Sequence, residues 1–291
     1  MAWTTRLNRL RDGAERRFPV LTELSGRLVS GQLLDSATRL AAQAFLASVP
    51  LLFAVAAFTP RGVREQLQDS LRAMFGLSGA SDQELAQVLG HSDDTGLRET
   101  SGAVGVLIAL VSATSFSRAM ARVCERAWAL PRAATRIAAW RWVAWLLTML
   151  VLVFLQGPIR TGFGTGAMLG VPLYFVMSAG MWLWTQHLLL AKRIGWLQLL
   201  PGALLAAAAT SALALTAPLY MPRAIDRALG EYGSLGLVLA MLSWLIAVCA
   251  AVTFAVTIGA VLAQEPPLNR FLVPRDAAAP DPGAQDVSAQ T

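Results

Sequence analysis

The chain has 291 residues, 55% of them hydrophobic and 14% charged, with a mean hydropathy of +0.53. Soluble domains carry about a quarter charged residues, so this balance excludes an ordinary soluble globular protein and points to an integral membrane protein. The formal charge of +6 rests almost wholly on arginines that flank apolar stretches, which reads as a topology signal and not as a nucleic-acid footprint.

Residues 1–36 mix charged and apolar side chains and include Pro19, so they lack the apolar core of a cleaved signal peptide and read as a cytoplasmic segment. A membrane domain over 37–264 follows. Within it, charged residues bracket six apolar stretches near the ~20 residues that a membrane helix needs. The first runs from Leu40 to Pro60, and Pro50 inside it predicts a kink. The outside loop, about 61–99, has seven acidic residues against four arginines. Its Leu67, Leu71, Met74 and Phe75 fall at helical spacing and Ser81 with Glu84 fits a capping box, which predicts two short amphipathic helices there.

The second span is Thr100 to Ser117, and an arginine-bearing cytoplasmic segment covers about 118–141. The third span is Trp142 to Ile159. In the fourth, from Thr161 to Ala191, the glycines Gly162, Gly164, Gly166 and Gly170 with Pro172 read as a loop, so the helix is expected to begin near Val171. The fifth lies between Ile194 and Pro222 and is expected to open near Pro201, a residue suited to a first helical turn. Its ALLAAAATSALAL run, 203–215, lets backbones approach closely and predicts a packing helix at the centre of the bundle. Tyr232 and Gly233 precede the sixth span, which ends at Gln264; Gly233 supplies a turn, Tyr232 an interfacial ring and Ser234 a cap. The tail over 265–291 is rich in Pro, Ala and Asp without apolar period, which predicts disorder.

Of the 24 basic residues, 17 fall on the side of the N-terminus and 7 on the other. The positive-inside rule then places both termini in the cytoplasm. The fold class expected is all-α: a polytopic bundle of six transmembrane helices, N-in and C-in.

Catalytic chemistry is sparse. The spans hold no central Asp or Glu, and Cys124 and Cys249 form no spaced pair. His187 lies beside Trp182 and Trp184, as in an interfacial belt. No metal-ligand pattern, nucleotide loop or nucleophile elbow occurs, so no cofactor, metal site or catalytic residue is assigned and the chain is read as a non-enzyme. Two mild polar features remain. Arg39 and Gln43, four apart on the first helix, are either an anchor with an interhelical bond or part of a patch that meets a headgroup or solute. In SFSRAMARVCERAWALP, Phe116, Met120, Val123, Ala127 and Leu130 make one apolar stripe, and Arg118, Arg122 and Arg126 lie on the other side with Glu125. This is an amphipathic continuation of the second helix. A voltage sensor would carry its arginines inside the hydrophobic thickness, whereas these begin after it. They act as topology anchors, or also contact anionic lipid phosphate.

Three blocks resemble the YihY/BrkB family of bacterial inner-membrane proteins: AQAFLASVPLLFAVAAF (42–58), VSATSFSRAMARVCERAWALP (111–131), and LPGALLAAAATS (200–211) followed by YGSLGLVLAMLSWL (232–245) with Gly259 and Ala260. Pro50, Pro201, Tyr232, Gly233 and Gly259 are landmarks of that resemblance. The chain departs from the family in having Gln43 where an aromatic is common and Val261 where an acidic residue is common, so a function resting on that carboxylate does not carry over. The resemblance implies a six-helix protein of the cell inner membrane, in a family linked by name to virulence and to envelope lipid traffic. An older ribonuclease label conflicts with the missing acid–base and metal chemistry. The expected role is binding or transport of a lipid-like or anionic solute at Arg39, Gln43, Arg118, Arg122 and Arg126, with membrane lipids as partners, no nucleic acid, and homo-oligomers left open. The alternative is a membrane scaffold that docks a protein partner.

Overall fold

A computed structural model describes residues 32–58, 95–131, 144, 145, 148 and 167–264. All regular elements among these residues are helices: α1 Gln32–Phe58, α2 Thr95–Ala127, α3 Ala167–Leu189, α4 Trp196–Tyr232 and α5 Ser234–Gln264. Residues 1–31 of the expected segment 1–36, the short helices expected in the outside loop up to residue 94, and the tail from residue 265 lie outside the described residues, while residues 32–36 open α1. So does most of the expected third span, of which Ala144, Trp145 and Thr148 are described and helical.

The helices outrun the apolar stretches that announced them. α1 begins eight residues before Leu40, and α2 begins before Arg98 and continues through the arginines to Ala127. Gly170 and Pro172, expected in a loop, lie inside α3. Pro201 is not in the first turn of α4, because Gly195 is the N-cap and Trp196 the first helical residue. Arg223 and Arg227, expected in a connection, continue α4 to Tyr232. Charged side chains mark where a chain leaves an apolar medium; they do not end a helix, whose backbone bonds are satisfied within the segment.

At 37 residues, α4 is ~55 Å long, well over the ~30 Å of a hydrocarbon core. It carries Pro201, Pro218 and Pro222 in its interior, each of which removes a backbone donor. Around the last two, side chains contact the backbone: the Thr216 hydroxyl donates to Ala212 O at 3.0 Å and Arg223 Nη1 to Leu219 O at 2.6 Å. In α5, the hydroxyls of Thr253 and Thr257 likewise donate to carbonyls one turn back, so neither is an unsatisfied group in an apolar helix.

α4 packs along both α3 and α5, α5 packs on α1, and α1 on α2, with lighter contacts from α2 to α3 and α5. The small residues Ala203, Ala206, Ala207 and Ser211 form the buried face of α4, as expected of a central packing helix. At the α4–α5 crossing the backbones touch: a Cβ built on Gly259 would overlap Gly202. At the hairpin between them, Gly233 (φ +60°, ψ −143°) makes a one-residue turn that its expected role required. Ser234 is the first helical residue after it.

The main core joins Leu40 and Ala41 of α1, Met120, Val123 and Cys124 of α2, Trp145, Leu188–Leu190, Leu199 of α4, and Val252, Val256 and Ala260 of α5. A second cluster, Ala217, Met221 and Ile225, joins α4 to α5 at the opposite end. α4, and α5 from Leu235 onward, are long and apolar enough to cross a membrane.

Candidate functional site at the arginine end

The N-terminus of α1 meets the C-terminus of α2. Arg126 Nη1 donates to Ser36 Oγ at 2.7 Å, which fixes the antiparallel register of the two helices. The apolar stripe behaves as its spacing predicts: Met120, Val123 and Ala127 are buried, and Phe116 and Leu130 pack against the same core. Leu130 lies past the helix end but returns to the core through a tight C-terminal turn. Its N–H bonds Glu125 O at 2.9 Å and the Ala129 N–H bonds Arg126 O at 3.1 Å, with Ala129 at φ 50°. These are the two bonds of a Schellman cap, made without glycine.

Arg118 and Arg126 are exposed and Arg122 is half-buried. Arg118 Nε donates to Thr114 O at 3.2 Å and its Nη2 to Ser115 Oγ at 3.4 Å, which lays the side chain back along its own helix. Arg39 is also exposed, and its Nε pairs with Asp35 one turn earlier at 3.1 Å. Arg39 and Gln43 share a side of α1 but differ in surroundings, since Gln43 has its Oε1 buried without a hydrogen-bond partner. Arg126 thus sits at the end of the α1–α2 pair near Ser36, Arg118 lies about two turns back along α2, and the Gln43 Oε1 is buried.

Glu125 departs from expectation. It does not join the exposed arginine face: it is 6% exposed and accepts from Arg193 Nη2 at 2.9 Å. Arg193 also donates from Nη1 to Pro131 O at 2.8 Å and from Nε to Leu190 O at 3.2 Å. One guanidinium therefore joins the turn after α2 to the turn after α3. That turn repeats the Schellman bonds, Lys192 N to His187 O and Ala191 N to Leu188 O, with Ala191 at φ 60°. In the sequence Arg193 is marked only as one of the basic residues on the side of the N-terminus. Its partner is 68 positions away, and no local signal marks a contact of that separation.

Next to this latch, His187 stacks on Trp196 with centroids 4.0 Å apart, and Trp196 in turn lies near Trp184. The exposed Trp184 fits the interfacial belt that the sequence suggests, whereas His187 is buried. Deeper, Trp145 joins α2 to α3: its ring contacts Phe116 at 5.5 Å and its Nε1 donates to Thr185 Oγ1 at 3.1 Å. Burial pushes the Cys124 thiol up to about 12, with the neighbouring Glu125 adding to it. Among the described residues, no group of three or more His, Cys, Asp and Glu is placed to hold a metal ion.

No curated protein and no solved structure matches the chain. A protein-family model does, over residues 24–277, a span that includes every described helix, and it agrees with the resemblance carried by the three sequence blocks. With α4 and α5 as apolar helices of membrane-crossing length, the chain is an integral membrane protein, and it belongs to the family described as Virulence factor BrkB.

Proposed function

We propose that this protein is a non-enzymatic, multi-pass protein of the bacterial inner membrane that binds an anionic, lipid-like solute of the envelope by its phosphate at the α1–α2 arginine end. Six spans with both termini in the cytoplasm follow from the charge distribution. That topology sets the arginine end at the cytoplasmic interface, where anionic lipid headgroups lie.

The observation that carries the reading is the Arg126–Ser36 bond. It holds Arg126 of α2 against the first turns of α1, the helix that carries Arg39. Of the nearby carboxylates, Asp35 pairs with Arg39 and Glu125 is turned inward to Arg193. A guanidinium presents several N–H donors in a fixed fork that suits phosphate oxygens, and a basic segment gains ~1 kcal/mol per residue near anionic lipid. Arg39, Arg118, Arg122 and Arg126 are the residues assigned to the headgroup; movement of the solute across the membrane would need further sites on the same path.

The test is binding of anionic against zwitterionic lipid to the full chain in detergent micelles, by native mass spectrometry. Retention of anionic lipid by the wild type and its loss on Arg118→Gln, Arg126→Gln substitution supports the reading; equal retention of both lipid classes overturns it.

A further inference from the structure

The outer face of α2 changes character along its length. At ~100° per residue, Ile108, Val111, Ser115 and Arg118 share an arc of ~80°, and Arg122 and Arg126 continue it. This face turns away from the core, because the stripe of Met120, Val123 and Ala127 on the other side is the buried one. Ile108 is 49% exposed and Val111 59%. Ser115 is half-buried and Arg118 is exposed. From the end of the helix inward, the face therefore offers guanidinium groups, then a hydroxyl, then aliphatic side chains.

Its length matches one leaflet of a bilayer. Ile108 stands near the middle of the apolar stretch 100–117, and Arg118 is the first residue after it. The helix is continuous from Thr95 to Ala127, so at ~1.5 Å per residue Arg118 lies ~15 Å from Ile108 along the axis. Half of a ~30 Å hydrocarbon core is the same distance.

Arg118 does not reach outward. Long basic side chains near a membrane helix end usually snorkel toward water. Here Arg118 Nε donates to Thr114 O at 3.2 Å and Nη2 to Ser115 Oγ at 3.4 Å, both about one turn nearer the middle of the apolar stretch. The Ser115 hydroxyl donates its own proton to Val111 O at 3.1 Å, which leaves a lone pair to steer the guanidinium. The charge is thus held level with the last apolar turn, beside the exposed face of Val111. Phosphate oxygens fit the guanidinium fork, and a phosphate at this level brings its acyl chains onto the aliphatic part of the same face.

We propose that one anionic phospholipid lies lengthwise on the outer face of α2, with its phosphate at Arg118 beside Ser115 and an acyl chain over Val111 and Ile108. A free phosphate would use the guanidinium alone, whereas the aliphatic half of the face fits a tail. The inference rests on the anionic-lipid reading above and narrows it to the outer face of one helix.

Photocrosslinking tests it in the full chain, in nanodiscs of zwitterionic phospholipid with a minority of anionic phospholipid of the same acyl chains. A benzophenone amino acid replaces Val111 or, as the reference, Val176, which is 64% exposed on α3, a helix without Arg or Lys. Mass spectrometry of the adducts reads which lipid was captured. The anionic share at position 111 is expected to exceed that at 176 about fivefold, and Arg118→Gln to bring it down to the share at 176. The comparison of the two positions needs no arginine substitution, so it decides the matter even where Arg118→Gln folds poorly. Equal shares at the two positions, or an excess at 111 that Arg118→Gln leaves unchanged, overturn the inference. If the chain in micelles still retains anionic over zwitterionic lipid in that case, the headgroup reading stands and the lipid lies elsewhere; if it does not, both fall.

Discussion

Arg193 Nη2 lies 2.9 Å from Glu125 Oε1, and through that pair the turn that closes α2 is joined to the turn that closes α3. The carboxylate is 8% exposed and the guanidinium 28%, so this is a mostly desolvated pair. Removing Arg193 takes from the buried carboxylate its 2.9 Å ion-pair partner. Arg193→Ala is expected to destabilise the protein by ~3 kcal/mol, and adding Glu125→Gln to recover most of that loss. Arg193→Lys should not rescue it, because a point charge cannot also reach Leu190 O and Pro131 O. Thermal unfolding in one detergent, run on the four proteins together, measures all three outcomes.

The two helix ends at this latch use alanine where glycine is the usual cap. Ala129 has φ 50° and Ala191 φ 60°. A non-glycine residue in that region carries ~1 kcal/mol of steric cost. Ala129→Gly and Ala191→Gly are each expected to raise stability by up to that amount. Gly233 is the opposite case, since φ +60° with ψ −143° is territory that glycine alone adopts without strain. Gly233→Ala should cost ~1–3 kcal/mol.

Close approach, not backbone freedom, governs Gly259. Its Cβ would overlap the Gly202 backbone, and neither helix has a flexible side chain there to give way. Gly259→Ala is expected to destabilise by ~1–3 kcal/mol or more. Gly180, where an added Cβ meets nothing within 4 Å, is the control: Gly180→Ala should be neutral or stabilise by up to ~1 kcal/mol through helix propensity alone. Paired melting curves of the two variants test this.

These residues show how much was legible in sequence. The stripe Phe116, Met120, Val123, Ala127, Leu130 was readable because a 3.6-residue period is a local property, and the structure buries it against the core. The small-residue face of α4 was readable for the same reason. Gly259 was visible as a landmark, but its role needs Gly202, 57 positions away in the chain and in contact across the crossing. Helix ends were misplaced wherever a charge or a proline stood in for one: Arg98, Pro172, Pro201 and Arg223 all lie within helices. Of the residues assigned to the site, Arg126 meets the start of α1 at Ser36, Arg39 pairs with Asp35, Arg118 lies back along its own helix, and the Gln43 Oε1 is buried. Glu125, read as part of the exposed face, is buried because a distant arginine neutralises it.

Cys124 offers a chemical check on that end. Burial first, and Glu125 second, push its thiol up to about 12 from an ordinary value near 9. The thiolate is the reactive form, so at pH 8 the folded protein should resist N-ethylmaleimide at Cys124 and become reactive only on unfolding. From pH 7 to 9 the Cys124 rate should stay far below that of an exposed thiol and rise ~10-fold per pH unit without levelling, whereas an exposed thiol levels off near its own pKa of ~8.5. Peptide mapping after brief labelling reads that rate.

The central claim is that arginines on α1 and α2 hold an anionic headgroup, and one measurement bears on it most directly. Binding of an anionic phospholipid to the full chain would be titrated for the wild type and for the triple variant Arg118→Gln, Arg122→Gln, Arg126→Gln, at low and high salt. At ~1 kcal/mol per arginine, the triple variant is expected to bind ~100-fold more weakly, and salt is expected to weaken the wild type far more than the variant. Equal affinity in the two proteins, with equal salt response, would contradict the account.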